Sequence, residues 1–481
     1  MADHRASARQ AVVLVDGEHY LPNLADSLRE LASTFRIGMV LFIGGTEKIG
    51  SFTAVRDRLP YPVAAAFGEE GPDLDAVARH LSRCGAELVI DLSDEPVVDY
   101  PARFRLANLA LHHGMEYRGA DFSFHPHRFK NLLTKPSLAL WGTGKRIGKT
   151  AMGGFVARTL RQAGYRPGVV TLSRGGPDHP HLLRGDRVAM DPESLLRFQE
   201  EGFHAASDYF EDAVTGRCIT IGCRRCGGGL AGKPYFTVVE QGARMAEEHP
   251  DIDVVVLEGS GATFPEIRTG GVILVLSASQ DLTGVTGYFG PYRVMGADLV
   301  VVGGCDAPLA SPRRVRAMVG TVRELNPGAP VATVVFRPRP LQDIRRRKVF
   351  YATTAPAAVV PLLIRHLRRH HGCRVVGWSN ALSDRERLAR ELRLRGGDAE
   401  VFLTELKASA VSVVAAEGRN LGKQVVLCDN VPRAVPGGDV DDLEPAVLGL
   451  LRRPERDEPR RKVPQQEAPR RESSQQEGAP Q

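Results

Sequence analysis

Between residues 138 and 160 the chain reads "LALWGTGKRIGKTAMGGFVARTL". Gly142, Thr143, Gly144, Gly148, Lys149 and Thr150 are the residue types that a phosphate-binding loop needs. Small residues let backbone N–H groups close on phosphate oxygens, and a helix N-terminus faces the anion. A lysine then reaches the β- and γ-phosphates, and a hydroxyl helps to hold Mg²⁺. The spacing departs from the usual G-x-x-x-x-G-K-[ST]. Five places before Gly148 stands Thr143, with glycines at 142 and 144 on either side. Counted from Gly142, the loop is one residue longer than usual, and none of the required groups is lost. An apolar run precedes it, and Met152, Phe155, Val156 and Leu160 form an apolar helical stripe after it. Lys145 is a further phosphate contact from within the loop. The plainer reading is a glycine turn with a fortuitous G-K-T, and a second stretch argues against it. In "DVVVLEGSG" (253–261) a buried strand ends in Glu258, where a carboxylate ligand for Mg²⁺ belongs. ATP and Mg²⁺ are therefore the expected cofactors, with Thr150 and Glu258 as metal ligands.

Other stretches carry more polar residues than a plain core would tolerate. "TLSRGGPDHP" (171–180) places Arg174 in a Gly-Pro turn after a strand. "GFHAASDYFEDA" (202–213) sets His204 and Asp208 at i, i+4, on one helical face. "IGCRRCGGGLAGKPYF" (221–236) joins Arg224, Arg225 and Lys233 to three consecutive glycines. Arginine forks bind phosphate bidentately, and glycine lets backbone amides join them. Together these loops predict a second anion pocket beside the nucleotide. Asp16, Glu18 and His19 in "LVDGEHYLP" (14–22) belong either to the substrate site or to a structural strand end. Cys218, Cys223 and Cys226 have the spacing C-x4-C-x2-C. Zinc would need a fourth ligand such as His204 or Cys305, and the plainer reading is small residues packing a tight loop.

The positioning elements come in three blocks. Residues 1–130 alternate short apolar runs ("AVVLVD", "IGMVLFIGG", "AELVIDLSD") with helical segments near 22–34, 74–83 and 101–114. Residues 136–340 hold the phosphate loop and further buried strands such as "DIDVVVLEGSGA", "GGVILVLSAS" and "ADLVVVGG". Residues 345–450 form another small α/β unit, with helices at 383–396 and 407–417. Strands alternating with helices predict parallel sheets. The fold class is α/β: a central P-loop NTPase-like domain flanked by a Rossmann-like N-terminal domain and a small C-terminal domain. The late stretch "VVFRPRP" (334–340) is a candidate adenine-contacting loop. The last thirty residues, 452–481, are rich in Pro, Gln, Glu and Arg and read as a disordered, solvated tail. A net charge of +6 suits small polyanions and does not by itself indicate nucleic acid. No helix-turn-helix, zinc-finger or RNP pattern occurs, so no nucleic-acid partner is expected. Seven cysteines do not suggest a disulfide framework. No signal peptide or apolar run near membrane length is present, so the expectation is a cytoplasmic protein with no membrane partner.

The loop spelling, followed by E-G-x-G on a later strand, resembles dethiobiotin synthetase, of the deviant P-loop class. The wider set is more specific. "VDGEHY", "GTGKRIGKTA", "SRGGP", "HAASDYFEDA", "GCRRCGGGLAG", "EGSGA", "TGYFGPYR" and "FYATTAP" (350–356) together resemble the cyclic 2,3-diphosphoglycerate synthetase family, from about residue 11 to 440. That resemblance implies an ATP-dependent ligase. It would close a phosphoanhydride between the two phosphates of 2,3-diphosphoglycerate, releasing ADP and phosphate. The site would use Lys149, Glu258, Arg224, Arg225 and Lys145 in catalysis. Arg174, His204, Asp208, Arg224, Arg225 and Lys233 would bind the substrate. The resemblance also suggests a homodimer. The alternative is a kinase or ligase that keeps the ATP site and acts on a different small polyanion.

Overall fold

A computed structural model describes residues 8–451 apart from 70, 189, 205–206 and 408–409. The expected tail at 452–481 lies outside the described residues. Two large sheets organise the chain.

The first sheet has six strands. Its order is Val63–Ala65, Arg36–Phe42, Gln10–Val15, Leu88–Asp91, Glu116–Arg118 and Ser123–Phe124. All its pairings are parallel except the last. Helices Leu21–Thr34, Leu74–Arg83 and Tyr100–His112 cover its two faces and form where helical segments were expected. The order reverses between Gln10–Val15 and Leu88–Asp91, which makes a doubly wound sheet. At this reversal Asp16 is fully buried. It accepts hydrogen bonds from the backbone N–H groups of Glu18 (3.1 Å) and Asp94 (2.5 Å), and His19 Nδ1 lies 2.8 Å away. Asp16 thereby ties the end of one strand to the loop that follows its neighbour.

The second sheet has thirteen strands and is continuous from residue 137 to 434. The loop strand Ser137–Gly142 lies between Val254–Glu258 and Gly271–Ser277. Outward on one side follow Pro167–Ser173, Ile219–Cys226 and His181–Arg184. On the other side follow Leu299–Gly303 and Val331–Pro340. Val331–Pro340 then pairs antiparallel with Gln424–Ala434, followed by Val401–Glu405, Lys348–Ala352 and Arg374–Ser379, and the short strand Phe236–Thr237 pairs antiparallel with the end of Ile219–Cys226 to complete the sheet. The central strands are buried on both faces, so they read as continuous Val/Ile/Leu runs rather than alternating ones. "VVFRPRP" is thus part of this long strand and not a loop. Its backbone is committed to pairing with Gln424–Ala434, and the Phe336 ring packs against Gly148.

The two sheets meet through "TGYFGPYR". Asn108 Nδ2 donates to Tyr288 O (2.5 Å), and its Oδ1 accepts from Tyr292 N (2.7 Å). Phe289 stacks edge-on against Phe104 and Phe124 of the first unit.

Candidate active site

The phosphate loop is built by its neighbours. Helix Lys149–Gln162 starts at Gly148, whose φ of 94° is strained for any residue with a side chain. The helix buries Met152, Phe155, Val156 and Leu160, the stripe expected from its spacing. Thr143 is anchored by its N–H to Val275 O (3.3 Å) and its hydroxyl to Gln280 Oε1 (2.8 Å). Lys145 is exposed, Gly144 has open space around it, and Thr150 is half-buried on the first helical turn.

Glu258 ends the strand next to the loop strand, paired with Leu140. Its side chain is 1% exposed, and its Oε1 has no hydrogen-bond partner. Burial holds its carboxyl above the ordinary range; Lys149 opposes the shift, while Asp208 and Glu211 reinforce it. Gly153, one turn into the helix, makes room for this carboxyl: a Cβ there would lie 1.4 Å from Oε1. Lys149 is itself buried and donates to Gly259 O.

The turn 259–261 has a second side. A Cβ on Gly261 would sit 3.1 Å from Arg174 Nη2 and 3.9 Å from Arg225 Nη2. Arg225 is 5% exposed, and donates to Ser260 O (2.9 Å) and Gly227 O (2.8 Å). Its Nε is buried without a partner. Burial, and then the nearby Arg174, lower the guanidinium's hold on its proton. Arg174, Arg225, Cys226, Gly227–Gly229, Ala262 and Thr263 line a cavity of about 500 Å³. Two guanidinium groups that converge, with no carboxylate paired to either among the described residues, have the chemistry to bind a small polyanion.

The same chain organisation appears in known proteins. Residues 10–125, 137–335 and 340–431 match the N-terminal, P-loop and C-terminal domains described for cyclic 2,3-diphosphoglycerate synthetase. A protein of that name from Methanothermobacter thermautotrophicus is 42% identical over 94% of this chain and 98% of its own length. Those from Rubrobacter xylanophilus and Methanothermus fervidus are 44% and 41% identical, over 92% and 90% of this chain and 97% and 95% of theirs. The chain belongs to the cyclic 2,3-diphosphoglycerate synthetase family.

Within this synthetase fold the other expected residues separate. Arg224 and Arg225 are adjacent on the strand Ile219–Cys226, so they face opposite ways. Arg225 enters the cavity; Arg224 is exposed and donates from Nε to Gly176 O (3.0 Å), fixing the turn that carries Arg174. Lys233 is largely exposed and pairs with Glu266 at 3.3 Å. His204 and Asp208 do not share a helical face. The helix Asp208–Gly216 begins after Ser207, whose extended backbone (ψ 157°) ends the preceding coil, so His204 lies outside it. His204 instead packs its ring against Gly175, beside Arg174.

Several buried polar groups near the site escaped the sequence reading. Asp212 is fully buried, with Oδ2 held by the Thr171 hydroxyl (2.9 Å) and Oδ1 unpartnered. Its carboxyl is pushed up by burial and by Glu258. Glu211 is likewise buried and pushed up. The signal was available: three acids within five residues, in a segment otherwise apolar enough to be core. Arg293, 6% exposed, was missed inside "TGYFGPYR". It donates to Phe289 O (2.8 Å), Ala262 O (3.1 Å) and Leu230 O (3.0 Å), joining the domain contact to Ala262 of the cavity lining and to the residue after Gly229. Cys218 and Cys223 are buried thiols, with protonation favoured by burial. Among the described residues no group of three or more His, Cys, Asp or Glu is placed to hold a metal, and Cys226 is exposed while Cys218 and Cys223 are buried. No helix among them is long and apolar enough to cross a membrane.

Proposed function

We infer that this chain is an ATP-dependent ligase that closes 2,3-diphosphoglycerate into cyclic 2,3-diphosphoglycerate, releasing ADP and phosphate. The observation that carries this reading is the shared turn 259–261. Lys149 and the phosphate loop bind one side of it, and Arg174 and Arg225 converge on the other. Two phosphate-binding sets thus stand back to back, as transfer between two phosphorylated molecules requires. The names of the relatives supply the particular substrate.

The substrate carries about five negative charges and ATP about four, so approach requires dense neutralisation. The loop amides and Lys149 hold the ATP phosphates. Arg174 and Arg225 hold the substrate phosphates, and His204 is close enough to the Arg174 turn to fix its position. The residues also fit magnesium, since Glu258 presents a buried, unpartnered oxygen beside the helix start. Thr150 and Glu258 would hold the ion, which neutralises phosphate charge when bound. One substrate phosphate oxygen attacks the γ-phosphorus, and ADP leaves. An oxygen of the second phosphate then attacks the substrate phosphorus that bears the transferred group. The ring closes and inorganic phosphate departs. No side chain needs to form a covalent bond; positioning and charge stabilisation carry the reaction.

ADP and phosphate release test the reading. Equal amounts of both are expected only when 2,3-diphosphoglycerate is present. Arg225→Ala should raise the KM for that substrate at least tenfold and leave the KM for ATP nearly unchanged. ADP release that ignores 2,3-diphosphoglycerate would instead favour a kinase or ligase for another polyanion.

A further inference from the structure

The helix Asp208–Gly216 brings its acids toward Glu258: Asp212 Oδ2 accepts from the Thr171 hydroxyl (2.9 Å), and Thr171 is the residue paired with Glu258 on the neighbouring strand. Glu211, Asp212 and Glu258 are nearly or fully buried, and each is disfavoured as an anion by burial first and by Asp208 and one other of the three after it. Such a concentration of carboxyls beside a site that must also receive ATP needs cations. Lys149 is one. The second comes from a distant part of the chain: Lys407 Nζ lies 3.7 Å from Glu211 Oε1.

Lys407 is delivered there by packing. It follows the buried strand Val401–Glu405 of the C-terminal unit. Its backbone is fixed by Lys407 N to Glu405 O (3.0 Å) and Ala410 N to Lys407 O (2.9 Å). Its neighbours Leu406, Val411 and Ala415 share one apolar cluster with Tyr209, Phe210, Ala213 and Val214 of the acidic helix. The ammonium is kept charged chiefly by Glu211, with Glu405, Asp208 and Asp429 adding. Its field also favours the anionic forms of Glu211, Glu258 and Glu405. Two of the other acids around it are already engaged. Asp429 pairs with Arg158 (2.9 Å) and Arg339 (3.0 Å), and Glu405 accepts from Thr353, Thr354 and Asn430.

We propose that Lys407 is a positioning residue for phosphoryl transfer, acting through Glu211 to hold the acidic helix against Glu258. This rests on the ligase reading above and gives the C-terminal unit a role in it: one charge that the P-loop unit lacks. Losing Lys407 leaves Glu211 buried without its cation, so the helix shifts or the carboxyls rearrange. Losing both charges relieves that conflict.

The test compares full-length wild type, Lys407→Met, Lys407→Arg, Glu211→Gln and the Lys407→Met/Glu211→Gln double variant. ADP formation gives kcat and KM for ATP and for 2,3-diphosphoglycerate, and thermal denaturation follows the fold. Lys407→Met should lower kcat at least tenfold with the KM for ATP changed less than threefold. Lys407→Arg should recover most of the rate. The double variant should be faster than Lys407→Met and within about threefold of Glu211→Gln. A folded Lys407→Met with kcat within twofold of wild type overturns the proposal, as does a double variant that multiplies the two losses. If Lys407→Met does not fold, the double variant decides: it folds and turns over if the lysine acts through Glu211, and fails if it does not. A wild type that forms ADP without 2,3-diphosphoglycerate sinks the substrate reading, while the Lys407 comparison is still read on the same ADP signal.

Discussion

Lys149 and Gly153 separate chemistry from packing on one helix. Lys149→Ala removes the cation that faces the 259–261 turn, and should abolish ADP formation while the circular dichroism spectrum stays that of wild type. Gly153→Ala is the opposite kind of change. On an exposed helix it would stabilise by about 1 kcal/mol. Here the new methyl group would overlap the Glu258 carboxyl, which is buried and would have to swing out of its place to make room. Overpacking of this kind costs about 1–3 kcal/mol, so the loss exceeds the propensity gain. The melting temperature should fall and turnover should drop at least tenfold; a stabilised, active Gly153→Ala protein would contradict the placement of Glu258. Residues of this kind were readable in the sequence to the extent that their partners are local. The loop residues 142–150 are contiguous, and Glu258 ends an unmistakable apolar run. Lys407 offered no such signal, because its partner Glu211 is almost two hundred residues away and only the tertiary fold brings them together.

Elements decide which neighbouring side chains act together. The pair Arg224–Arg225 looked like one clamp, and strand alternation splits it. The helix start at Asp208 removes His204 from the face it was expected to share, because His204 lies four residues before the first helical position. Arg293 shows the converse, since one buried side chain on the short helix Gly290–Met295 holds the carbonyls of Ala262, in the cavity lining, and of Leu230. Arg293→Met would orphan Phe289 O, Ala262 O and Leu230 O. It should raise the KM for the diphosphoglycerate severalfold and lower the melting temperature, whereas a surface arginine replaced in the same way would do neither. The helix Val360–His371 carries a separate pH signature. Burial pushes His366 down to about 4, with His370, Arg433, His371 and Arg337 adding to the shift. Its unfolded value is about 6.5, so between those values the unfolded chain binds a proton that the folded chain does not. Stability is therefore unaffected above pH 6.5 and is lost as pH falls toward 4. The imidazole is partly exposed, so solvent screening leaves about 1 kcal/mol. Thermal denaturation between pH 7 and pH 5 should show this loss, and His366→Gln should flatten it; an unchanged slope would remove His366 as its source.

At the scale of the whole molecule, the site is assembled by contacts that cross the chain. The first sheet reaches the cavity through Asn108, Phe289 and Arg293, and the C-terminal unit reaches the acidic helix through Lys407. Asn108→Ala would leave Tyr288 O and Tyr292 N without their partner, and should cost about 2 kcal/mol. Calorimetry checks it: an unchanged unfolding temperature would show that the two units do not depend on this contact. The parallel α/β units were legible from their strand and helix spacing. The continuity of the second sheet was not, because the antiparallel pairing of residues 334–340 with 428–434 joins segments far apart in sequence. The central claim is that these parts together close a ring in 2,3-diphosphoglycerate at the expense of ATP. A phosphorus NMR time course with Mg-ATP and 2,3-diphosphoglycerate tests it most directly. Both phosphomonoester signals should fade as phosphoanhydride signals grow, with free phosphate and ADP rising in equal amounts. ADP formation with both phosphomonoester signals intact would contradict it.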